Sequence, residues 1–198
     1  MPHEYRPANW LIIKPHRPAN TETGVSHRDI LYAVVGRVLS AWELLETLLA
    51  WEFQRLIGTD RIAALRALGS IASSKARISA IGAAADVQLS GDELVRHKRC
   101  MEDVNLLTGV RNMVAHGMVY WLDGERWTSD DTRAETSGPY ALGPPHYNTS
   151  KFRDGSFYLF SVPQIDEILS EIHKMQARVG AIQFKEYRRY HRVSFRLS

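Results

Sequence analysis

From Ser26 to about Ile57 the apolar residues Leu31, Val34, Val35, Val38, Trp42, Leu45, Leu49 and Leu56 recur at three- and four-residue spacing. That period belongs to one face of an α-helix. Leu44, Leu48 and Trp51 widen the stripe, so the helix is expected to be buried on more than one side and the rest of the chain must supply what covers it. Ser26, with Asp29 three residues on, resembles a capping box with the shorter acid, and Gly58 is the expected stop.

Three further helical segments follow. About Asp60 to Val87 carries Ile62, Leu65, Leu68, Ile71, Ile78 and Ile81, with a break expected near Gly69 to Ser74 where small polar residues collect. Ser90-Gly91-Asp92-Glu93 fits S-x-x-E and opens a third helix running to about His116 or Met118, with Gly117 as its candidate end. Pro163, with Asp166 and Glu167 in the first turn, opens a fourth helix bearing Ile165, Ile168, Ile172, Met175, Val179 and Ile182. Between the third and fourth helices the pattern changes. Met118 to Trp121, the turn Asp123-Gly124 and Arg126 to Thr128 read as a hairpin, Phe152 and Phe157 to Val162 flank another Asp-Gly turn, and Pro- and Gly-rich loop lies between.

These segments predict a mainly all-α fold, an antiparallel four-helix bundle with a small β-hairpin-rich insertion at about 118–162. Residues 1–25 form a Pro-rich arm and residues 26–198 a single domain. In the arm, the apolar run Trp10-Leu11-Ile12-Ile13 is too short for a secretory signal or a membrane span, so neither export nor membrane insertion is expected. The single cysteine rules out an internal disulfide and a cysteine-based metal cage, and a reducing cytoplasm is the natural setting. A net charge of +3 permits contact with nucleic acid without pointing to it.

Chemistry gathers late in the third helix. Val104, Leu107, Val114 and Met118 trace a stripe that Arg111 completes. A guanidinium on an apolar line must meet a carboxylate, with Glu43 and Glu46 of the first helix as candidates, or snorkel to water, or face a pocket or subunit interface. Asn112 and His116 are four apart, so the amide can hydrogen-bond the imidazole, and the helix end favours imidazolium; a surface histidine closing the helix is the alternative.

The heptapeptide Arg111-Asn112-Met113-Val114-Ala115-His116-Gly117 resembles the R-x-x-x-x-H motif of the HEPN superfamily, with the polar residue after the arginine. The resemblance covers about Ser26 to His116 and Pro163 to Tyr190, and does not explain the insertion. It implies a homodimeric endoribonuclease that needs no metal and no cofactor, with RNA as substrate and an antitoxin or defence-system protein as a further partner. Arg111 would clamp phosphate, His116 would act as general base or acid, and Asn112 would orient His116 or contact phosphate. Non-catalytic HEPN members that bind nucleotides, RNA or proteins are the alternative it implies. Residues five apart on a helix lie about 140° apart around its axis, so Arg111 and His116 of one chain converge poorly and two copies would have to share a cleft about a two-fold axis. Leu106, Val110 and Met113 are candidates for that interface.

The carboxyl end interleaves Lys185, Arg188, Arg189 and Arg192 with Tyr187 and Tyr190. Cations for phosphates and rings for unstacked bases suit single-stranded RNA, while a solvated helix end with a packed tail is the alternative. The acidic loop Asp123 to Glu135 shows no metal spacing, and His97 and Cys100, three apart, make an incomplete zinc site with a structural or surface role expected. Gly-rich phosphate loops, nucleophile elbows and H-E-x-x-H are absent.

Overall fold

The computed structural model describes residues 22–121, 140–145 and 159–194, with side chains for 27–120, 140–145 and 159–182. The described residues are mostly helical: α1 (Glu22–Ile57), α2 (Arg61–Gly69), α3 (Ser74–Gln88), α4 (Gly91–Ala115) and α5 (Val162–Ser194), with strands β1 (Met118–Trp121) and β2 (Tyr140–Gly143) between α4 and α5. No described helix is long and apolar enough to cross a membrane. The chain divides into two compact units, Met1–Leu39 with Arg111–Leu169, and Ser40–Val110 with Ser170–Ser198.

In the second unit, α1 buries Trp42, Leu45, Leu49 and Leu56 on the expected line, each contributing about 1.5–3 kcal/mol by leaving water. Leu44, expected to widen the stripe, is half exposed. Gly58 ends α1 as expected: its φ of 64° is costly for a residue with a Cβ, and its N–H closes on Gln54 O at 3.0 Å. The second helical segment is broken where small polar residues collect. Asp60 caps α2 by accepting from the N–H groups of Ile62 and Ala63, and Ser73 caps α3 by accepting from Ala76 N–H. The stripe expected on α2 is corrected, since Ile62 and Leu65 are exposed while Ala64 and Leu68 are buried.

Polar side chains tie these helices together. Glu46 of α1 accepts from Trp42 Nε1, Ser74 Oγ and Arg77 Nη1, and Arg77 Nε also holds Ile71 O at 2.8 Å, which fixes the start of α3 against α1. Gln176 of α5 donates to Ala41 O of α1, and Arg178 of α5 pairs with Asp103 of α4.

In the first unit, α1 buries Leu31, Val34 and Val38, and α5 buries Ile165 and Ile168. The start of α1 is corrected: Ser26 lies within the helix, so it is not the N-cap. At the start of α5, Gln164 Oε1 accepts from Ser161 N–H and Ser161 Oγ, the back-reaching half of a capping box with the glutamine at its third position. Val162 is therefore helical rather than the end of a strand, and Asp166, beyond the first turn, pairs with Arg37 at 3.2 Å.

The strand expected at Met118 to Trp121 is formed as β1. β1 pairs antiparallel with β2, Met118 opposite Gly143 and Trp121 opposite Tyr140, in a stretch expected to be loop. Leu142 of β2 exchanges two backbone hydrogen bonds with Phe160 on its other side. The Tyr120 hydroxyl donates to Pro144 O, and Tyr120, Ala141 and Leu159 pack together. The Trp10–Ile13 run, Arg126 to Thr128, the acidic loop and Phe152 to Phe157 lie outside the described residues.

Candidate functional site

The Arg-x4-His motif spans the end of α4 and the residue that follows it. On this helix the buried line runs His97, Cys100, Met101, Val104, Thr108 and Val114, all at three- and four-residue steps from a neighbour on the line except the last. Thr108, whose hydroxyl bonds Val104 O at 3.0 Å, occupies the line where Leu107 was expected, and Leu107 is half-buried. Arg111, three residues beyond Thr108, continues it. Its side chain is half-buried with Nε enclosed in protein, while Nη1 donates to Asn112 Oδ1 at 3.2 Å. The expected amide-to-imidazole bond is corrected: Asn112 Oδ1 serves Arg111, and among the described residues no side-chain bond joins Asn112 to His116.

α4 ends at Ala115, and His116 is the exposed residue that follows. Its N–H still bonds Asn112 O at 3.1 Å, and Gly117 N–H bonds Val114 O at 3.3 Å, so His116 keeps the helical path and stays roughly 140° round the axis from Arg111. What fixes the chain just past His116 is packing. A Cβ on Gly117 would stand 2.6 Å from Leu142 Cγ, closer than non-bonded carbons approach. Glycine is thus required where the end of α4 meets β2, and β2 buttresses the motif.

Of the candidate partners for Arg111, Glu46 carries the three donors described above and Glu43 is exposed, its backbone oxygen accepting from Thr47. Leu106 is exposed, while Val110 and Met113 are half-buried. Lys185, Tyr187, Arg188, Arg189, Tyr190 and Arg192 all stand on α5. Among the described residues no three His, Cys, Asp or Glu side chains are gathered to hold a metal ion.

A second cluster was missed. Glu52 and His97 are each 1% exposed, with Nε2 3.3 Å from Glu52 Oε1. Arg55 grips the same carboxylate with two donors, Nη2 at 2.6 Å and Nε at 3.0 Å. Burial alone would push the Glu52 carboxyl up; His97 and Arg55 together outweigh it and hold the carboxyl below its ordinary value. The legible signal is Glu52 itself, a carboxylate three residues after Leu49 and four before Leu56 on the apolar line. Cys100, on the buried face of α4, has Sγ 3.7 Å from Met175 Sδ, and burial pushes its thiol up to about 11. This cluster has the character of a packed polar core rather than an open site, since every member except Arg55 is sealed from water.

No protein-family model, no curated protein and no solved structure matches this chain.

Proposed function

We infer that the chain is a metal-independent endoribonuclease of HEPN type, and the observation that carries the reading is the end of α4. There a half-buried arginine is oriented by the neighbouring amide, and a histidine stands exposed one residue beyond the helix. RNA cleavage by its own 2′-hydroxyl needs those two functions. The 2′-oxygen attacks phosphorus, the P–O5′ bond breaks, one proton leaves the 2′-oxygen and one reaches the 5′-oxygen, and charge builds on the non-bridging oxygens. His116 exchanges the proton and Arg111 clamps the phosphate with planar, permanently charged donors. Asn112 orients Arg111, a role that its hydrogen bond supports better than orientation of the imidazole.

The angular separation of Arg111 and His116 along one helix favours a homodimer in which two motifs share a cleft. The reading includes an antiparallel bundle of α1, the α2–α3 pair, α4 and α5, a cytoplasmic setting and an antitoxin or defence-system partner.

The test is digestion of structured and single-stranded RNAs in EDTA by the purified chain beside Arg111→Ala and His116→Ala. Both substitutions are expected to lower the rate by about a hundredfold or more, the range for a lost proton-transfer group or charge stabiliser. Absence of cleavage, or cleavage that survives both substitutions, overturns the reading.

A further inference from the structure

Because α5 runs on to Ser194, the carboxyl-terminal cations stand on a helix, where residues three, four and seven apart share a face. Lys185, Arg188, Arg189 and Arg192 have those spacings, so their positions fall within an arc of about 100°. The buried line of α5 passes through Ile172, Met175 and Val179 to the half-buried Ile182. Four and eight residues beyond Ile182, at the same helical register, stand Glu186 and Tyr190. The cation arc is centred roughly 120° round from that line, and Tyr187 and Tyr190 are each about 150° from its centre.

Cations and rings that alternate in sequence are therefore segregated on the helix. Upstream, Lys174 pairs with Glu171 and Arg178 with Asp103, so charge there is locally balanced. From Gln183 to Ser194 the sequence holds four Lys or Arg residues and one carboxylate, Glu186, a difference of +3 that equals the net charge of the whole chain, +3. The chain's positive excess sits on this one stretch.

We propose that the arc of Lys185, Arg188, Arg189 and Arg192 binds the phosphate backbone of RNA without reading or stacking its bases. The choice of RNA rests on the ribonuclease reading of Arg111 and His116, whereas the phosphate contact rests on the register of α5. A bilayer surface is the other extended polyanion, but a helix lying on lipid needs a bulky apolar face, and Val193 is the only aliphatic residue from 185 to 194. Each of the four cations can neutralise one phosphate, so the arc engages three or four of them.

The test measures binding of a short fluorescent single-stranded RNA to the full-length His116→Ala chain by anisotropy across a potassium chloride series. The slope of log affinity against log salt is expected at about −2 to −3, from about 0.7 per phosphate contacted. Arg188→Gln with Arg189→Gln should flatten it by about 1.4, as should Lys185→Gln with Arg192→Gln, each with unchanged far-ultraviolet circular dichroism. Arg188→Lys with Arg189→Lys should restore it, because the charge is kept. Tyr187→Leu and permuted RNA sequences should bind as the parent does. Unchanged slopes in both glutamine pairs, a loss of affinity in Tyr187→Leu, or charge-dependent binding confined to phosphatidylserine vesicles overturns the proposal. If the parent chain cleaves no RNA, the ribonuclease reading fails while these slopes still decide the contact.

Discussion

Replacing Glu52 by glutamine removes the charge that Arg55 and His97 share while keeping the side chain's shape. His97 is 1% exposed and cannot turn to water, whereas Arg55 is 23% exposed and can do so in part. Breaking one partner of a buried ion pair costs about 3–5 kcal/mol; the escape open to Arg55 places Glu52→Gln at the low end, about 3 kcal/mol. For a chain of this length that is a fall in Tm of about 6–12 °C, or about 1–1.5 M in the urea midpoint at a slope of 2–3 kcal/mol per molar, followed by circular dichroism.

The pH dependence carries a sign. Glu52 has its folded carboxyl below the ordinary value of 4.5, so its stabilisation is complete above the unfolded value and is lost as pH falls through the folded one. The parent should therefore lose stability more steeply than Glu52→Gln as pH drops below about 4.5. Replacing Glu52, Arg55 and His97 together by leucine should recover most of the loss, as apolar substitutes for buried ion pairs do. A Glu52→Gln penalty under about 0.5 kcal/mol, the level of an exposed pair, or parallel acid profiles, would refute this account of the cluster.

Three further outcomes follow from the packing. Cys100, with its thiol raised from 9.0 to about 11, should hold about a hundredfold less thiolate at pH 8 than an ordinary cysteine; folded protein should resist iodoacetamide and urea-unfolded protein should react, and rapid labelling of the native state would contradict its burial. Gly117→Ala places a methyl against Leu142 and should cost about 1–3 kcal/mol as overpacking does, lowering RNA cleavage with it; unchanged stability would mean that β2 does not buttress the end of α4. Arg77→Ala unties α3 from Glu46, a pair only about a quarter exposed on each side, and should cost about 1–2 kcal/mol in thermal melts; a neutral result would remove the clamp.

What could be read in advance depended on how many residues shared one signal. The stripe of α5 recurs through five buried residues from Ile165 to Val179, so its period survived errors at single positions, and the break between α2 and α3 was marked by adjacent small polar residues. β2 had only four residues between Pro139 and Pro144, too few for alternation to register, and its pairing with β1 crosses eighteen residues whose turn signal, Asp123-Gly124, points to a nearer partner. Glu52 and His97 interrupt apolar lines, and an interruption suggests an exposed edge unless its partner on another helix is known. At the motif itself, the position of Arg111 on the buried line was legible, but Asn112 has two neighbours to choose between. Helical spacing allowed His116, and the structure joins its oxygen to Arg111 instead.

The central claim is that the RNA's own 2′-hydroxyl is the nucleophile at a site made by Arg111 and His116. The most direct measurement sets one RNA beside its all-2′-deoxy counterpart of the same sequence, incubates both with the chain in EDTA, and analyses the product ends. The account predicts that the RNA is cut to 2′,3′-cyclic phosphate and 5′-hydroxyl ends and that the deoxy strand stays whole. Cleavage of the deoxy strand at a similar rate, or RNA products ending in 3′-hydroxyl, would contradict it.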